Sequence, residues 1–141
     1  MGRFGRKTGR GFYIYEDGES APDPQVDEII AAERAAKKID ARAISDQEII
    51  DRYMAAMVNE AARVVEEGIA LRPLDVDVVF LNGYGYPRWR GGPMHYADTV
   101  GLDKILNDIN AFAEEDDFLW KPAPLLQRLV AKGETFASLN P

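Results

Sequence analysis

The chain has 141 residues, a net charge of -7, no cysteine and 46% hydrophobic residues. That length supports one real hydrophobic core, whereas the acidic balance argues against nonspecific nucleic-acid binding, which depends on neutralising phosphates. Without cysteine there are no disulfides, thiolate nucleophiles or zinc–cysteine sites, and no apolar run is long enough to cross a bilayer as a helix.

The start of the chain does not read as a secretory signal, and the resulting expectation is a cytoplasmic protein. Residues 1–10, MGRFGRKTGR, carry four basic groups, which form either a local anion patch or a solvated end. Phe12–Tyr15 then reads as a short extended run closed by an acidic turn. No partner strand is evident for it, so its backbone is expected to pack as a loop or to pair with another molecule. After SAPDPQ, residues 26–38 read as a helix with a modest apolar face of Val26, Ile29, Ile30 and Ala36.

The segment 45–67 gives a clearer signal. Ser45 and Glu48 fit a capping box. Ile49, Ile50, Tyr53, Met54, Met57, Val58, Ala61, Val64 and Val65 repeat at helical spacing and predict the central core helix, stopped by Gly68. Pro73 can open the next helix without losing a needed donor, with Asp75 and Asp77 near its positive end. A short helix is expected from Pro93 to Thr99 and an amphipathic one over 102–113. A last helix is expected over 124–132, ended by Gly133. Five or six helices joined by short turns predict an all-α domain.

The glycine-rich stretch LNGYGYPRWRGGPMHYADTVG (81–101) holds the only histidine. Neither it nor GRGFYIY sits in the strand–GxGxxG–helix setting of a dinucleotide fingerprint. His95 with Asp98 one turn on is a weak catalytic pair, because a dyad also needs a shaped, dry cleft. Glu114–Asp117 lacks the alternating ligands and turn glycine of an ion-binding loop and reads as a solvated helix end. Arg88 and Arg90 bracket Trp89 and could clamp a phosphate, stack on a ring or bridge to acids of a partner. With Tyr86 they form the candidate partner-contact set. Pro87 and the flanking glycines suit a rigid packing corner. No catalytic, cofactor-binding or metal-binding residue is assigned.

GRKTGRGFYIY (5–15) resembles the end of the first helical C-terminal domain of 3-hydroxyacyl-CoA dehydrogenases. Residues 49–105 resemble the second such domain, most specifically through MVNEAARVVEEGIA, GYGYPRWRGGP and YADTVGLD taken together. The likeness is nearest to the C-terminal portion of multifunctional fatty-acid oxidation enzymes. It implies a compact helical bundle like the C-terminal domain of 6-phosphogluconate dehydrogenase, with an extended N-terminal segment. It also implies three regions: 1–20 as the end of a preceding helical domain, 21–44 as a connection with a short helix, and 45–141 as the second helical domain.

Complete enzymes of this family oxidise L-3-hydroxyacyl-CoA with NAD, using a Rossmann domain and its histidine–glutamate pair. By resemblance, NAD therefore belongs only to a complete enzyme, and His95 does not inherit the catalytic role. Where the family's first repeat has an active-site asparagine followed by arginine, this chain reads Asp51–Arg52. The expectation is a part that packs and oligomerises, as a homodimer or larger assembly, and is inactive alone. Two alternatives stand beside it: a subunit lending substrate contacts to a Rossmann-domain dehydrogenase partner, and a stand-alone helical interaction module.

Overall fold

Asp17 and Gly18 both take positive φ, at 50° and 85°, the backbone of a two-residue hairpin turn whose twist matches its strands. They join β1 (Tyr13–Glu16) to β2 (Glu19–Pro22), which pair antiparallel with Glu16 opposite Glu19 and Tyr13 opposite Pro22. This corrects the expectation of an unpartnered strand: ESAP, polar and short, supplies the missing ladder. The computed structural model describes residues 1–141 as two compact units, Met1–Ala43 and Ile44–Pro141.

In the first unit, the side chain of Asp23 accepts from the Gln25 N–H and caps α1 (Pro24–Lys37). Its other oxygen accepts from Arg3 at 2.7 Å, and Arg10 lies 3.9 Å away. Arg3 is thus drawn inward while Arg10 stays exposed, and Arg6 rests over the Tyr15 ring at 5.5 Å. The Arg3 and Gln25 contacts hold the Asp23 carboxyl below its ordinary range. No apolar side chain of this unit is fully buried.

The second unit is built on α2 (Asp46–Glu66), which packs against α3 (Pro73–Gly83), α4 (Pro93–Val100), α5 (Leu102–Phe112) and α6 (Pro124–Lys132). The observed architecture is all-α, six helices preceded by the hairpin. Ser45 Oγ accepts from the Glu48 N–H at 3.1 Å, as the capping pattern predicts, and Gly68 takes the positive φ that ends α2. Ala55, Val58, Ala61 and Ala62 let neighbouring helices approach α2 closely. Met94, Ile105, Ile109, Leu126, Leu129 and Phe136 fill the remaining core. Burying each of the larger side chains stabilises the fold by about 1.5–3 kcal/mol.

One part of the expected core stripe lies elsewhere. Ile49, Ile50 and Tyr53 are 55%, 42% and 64% exposed, so the apolar face of α2 is wider than its neighbours can cover. Polar clamps hold what is covered. Asn59, 3% exposed, donates to the Lys121 carbonyl at 2.9 Å and accepts from the Ala123 N–H at 2.7 Å. Glu66 accepts from the Leu125 N–H and pairs with Arg128, tying the end of α2 to the start of α6.

Candidate functional site

The glycine-rich stretch turns the chain from α3 into α4 through a 3-10 turn at Arg88–Arg90. Pro93 opens α4 after Gly92, whose φ is 106°. The cap of α4 comes from α3: Asp77 accepts from the Met94 N–H at 2.8 Å and the His95 N–H at 3.1 Å. A Cβ at Gly92 would overlap the Asp77 carboxylate, and one at Gly91 would run into the His95 imidazole. Gly92 is therefore required by close approach as well as by φ, whereas at Gly91 the exposed imidazole can swing aside and the φ of 74° is the demand. Burial is the largest influence on Asp77 and pushes its carboxyl up, against the two amide contacts that favour the charged form.

His95 and Asp98 share α4 without forming a dyad. Asp98 accepts from the Phe136 and Ala137 N–H groups, each at 2.8 Å, and so caps the C-terminal turn Phe136–Leu139. His95 is exposed and packs on Gly91. Around this junction Asn140 Oδ1 also accepts from the Leu74 N–H at 3.1 Å. The geometry assigns these side chains to holding backbone.

Of the candidate contact residues, Tyr86 turns inward. It is 7% exposed, its hydroxyl meets Met54 Sδ at 3.8 Å, and its ring stands edge-on to Phe80 at 6.1 Å. Burial pushes its phenol up to about 12. Arg88 and Trp89 face outward, and Arg90 is half-buried. Arg88 donates to Asn82 Oδ1 at 3.1 Å. Trp89 is 79% exposed. The Arg90 guanidinium lies 4.4 Å from the Trp89 ring centre and 5.1 Å from that of Tyr96.

Beside this turn, α2 and α3 leave an open apolar groove of about 830 Å³, lined by Tyr53, Met57, Val64, Leu71, Val79 and Phe80 among others. Tyr84, at its end, is 74% exposed and stacks 5.3 Å from Phe80. Of the uncovered α2 residues, Tyr53 lines this groove, whereas Ile49 and Ile50 lie outside it.

Arg52 is held by Glu48 and Glu115, both at 2.9 Å, with its guanidinium 4.2 Å over the Phe112 ring. In the acidic run, Asp116 Oδ1 accepts from the Phe118 and Leu119 N–H groups. No three histidine, aspartate or glutamate side chains converge to hold a metal ion. The only sheet is the two-stranded antiparallel hairpin, so the strand–turn–helix cradle of a dinucleotide has no counterpart in this chain.

Sequence reasoning missed two working residues. Asp77 was legible as a charge favouring its own helix, but it caps the next one, and nothing in local spacing signals that. Asn59 lies inside an apolar stripe, where a lone amide is the available hint of a buried clamp.

A model of the family "3-hydroxyacyl-CoA dehydrogenase, C-terminal domain" matches residues 49–137. The chain belongs to this family. Among similar proteins is a peroxisomal bifunctional enzyme of Danio rerio, 45% identical over 138 residues, 94% of this chain and 19% of that protein. The Homo sapiens peroxisomal bifunctional enzyme is 39% identical over the same share of each chain. A peroxisomal fatty acid beta-oxidation multifunctional protein of Oryza sativa subsp. japonica is 35% identical over 131 residues, 89% of this chain and 18% of that one. The chain thus spans about one fifth of the length of the relatives it matches. The three relatives are peroxisomal by name, which overturns the expectation of a cytoplasmic protein. Acidic composition without an evident signal carries no information about that compartment.

Proposed function

We propose that this chain is the helical C-terminal part of an NAD-dependent L-3-hydroxyacyl-CoA dehydrogenase of fatty-acid beta-oxidation, working in the peroxisome. It serves packing and oligomerisation and is inactive alone. The observation that carries this reading is the division of labour in the second unit. Asp77, Asp98 and Asn59 hold backbone groups, while an apolar groove between α2 and α3 stays open. Such a face is the property of a domain that packs on something else. Residues 1–20 close a preceding helical domain and 21–44 connect it to the second.

Acetoacetyl-CoA and NADH test the proposal. The chain alone is expected to oxidise no NADH, and mixing it with a separately expressed Rossmann-domain fragment is expected to restore turnover. Turnover by the chain alone would refute it. Self-association as a homodimer or larger assembly is the companion expectation, and light scattering that reports a monomer up to high micromolar concentration would remove it. The outward Arg88 and Trp89, with the half-buried Arg90 beside them, favour the second reading, a subunit that lends substrate contacts to a dehydrogenase assembled with a Rossmann-domain partner.

A further inference from the structure

The charges around the α2–α3 groove are unevenly matched. Asp75 is paired with Arg72 at 2.6 Å and Glu60 with Arg63 at 3.3 Å, so the carboxylates along the groove already have cations. At the Tyr84 end the reverse holds. Arg88 is bonded only to the neutral Asn82 amide, and Arg90 lies 4.4 Å from the Trp89 ring centre and 5.1 Å from that of Tyr96, paired with no carboxylate. A guanidinium whose neighbours are rings leaves its N–H groups for a planar, bidentate acceptor. Tyr86 joins the two regions: Phe80 of the groove packs on it, and it lies four residues before Arg90 in the same turn.

We propose that the groove and the Arg88–Arg90 turn form one docking surface for an amphipathic helix that carries carboxylates at one end. The apolar stripe of that helix lies along Leu71, Val79 and Tyr84, lining residues that are 87%, 53% and 74% exposed. The acidic end then pairs with Arg90 and Arg88 while Trp89 is covered. Trp, Tyr and Arg at the margin of an apolar recess are the residue types that dominate interface energetics, and helix-in-groove binding reads spaced apolar anchors in this way. The inference rests on the packing role proposed above and names the chemistry of the partner.

The probes are two lactam-stapled amphipathic peptides of about 14 residues, stapled because shorter free helices are marginal in water. One carries two glutamates at its end and the other two lysines. Trp89 is 79% exposed and Trp120 6%, so a blue shift of tryptophan emission reports the covering of Trp89. The glutamate peptide is expected to bind at least about tenfold more tightly than its lysine twin and to shift the emission. That advantage should shrink with salt and vanish in the Arg88→Gln/Arg90→Gln double variant. Val79→Glu, at a position 53% exposed, should block both peptides, with circular dichroism confirming the fold and Tyr84→Ser as the milder second variant.

Equal affinity for the two peptides overturns the proposal, as does a preference that survives the double variant. So does a dimer blind to both peptides, in which a second copy fills the groove. Loss of charge preference with NADH turnover still restored by the Rossmann fragment would leave the packing role standing and remove this partner. The opposite pair of results would remove the packing role in that enzyme and keep the docking surface.

Discussion

Tyr86 and Trp89 are three residues apart in a turn that looks uniformly exposed in sequence, yet one is sealed and the other faces water. The consequence is a titration. With its phenol pushed up to about 12 from 10.0, the stability that neutral Tyr86 contributes is complete below pH 10 and is lost as pH rises through the folded value. Tyr86→Phe is therefore expected to flatten the loss of melting temperature between about pH 9 and pH 12, read by circular dichroism. Gly92 makes the opposite kind of demand. Its φ of 106° and the Asp77 carboxylate beside it leave no room for a methyl group. Gly92→Ala should cost about 3 kcal/mol and lower Tm by more than about 10 °C in a thermal melt.

At the scale of elements, polar side chains decide which helices meet. Asn59→Ala leaves the Ala123 N–H without its acceptor in a buried setting, and an expected loss of about 2–3 kcal/mol is measurable by urea unfolding. Glu66 links α2 to α6, and its carboxyl is held below the ordinary 4.5, first by Arg128. Its contribution is complete above that value and is lost as pH falls through the folded one. Acid titration of Glu66→Gln should give a shallower acid limb than the parent chain. The helix boundaries were largely legible beforehand, because Ser45, Pro73, Pro93, Gly68 and Gly133 act on their own neighbours. Asp17-Gly18 was equally local, and the hairpin it makes escaped notice because ESAP has no β-forming composition to announce a strand.

At the scale of the molecule, the two units differ in what holds them. Residues 44–141 own the buried core, whereas residues 1–43 have the Asp23 network and a two-stranded hairpin. A lone hairpin is marginal in water. The fragment 44–141 is expected to unfold cooperatively on its own, and a 1–43 peptide to show no cooperative transition by circular dichroism. A cooperative melt of 1–43 would contradict this account.

The sequence by itself determined the helices, their ends, the all-α class and the family, since propensity, caps and motif residues act over a few positions. It also singled out the 81–101 corner and named Arg88, Trp89 and Arg90 within it. Only the tertiary structure decided that Ile49, Ile50 and Tyr53 stay uncovered, that Tyr86 is sealed, and that Asp77 caps a helix other than its own. Periodicity marks an apolar face but not the number of neighbours available to cover it. A cap reaching across 17 residues depends on where the helices meet, which no local spacing encodes.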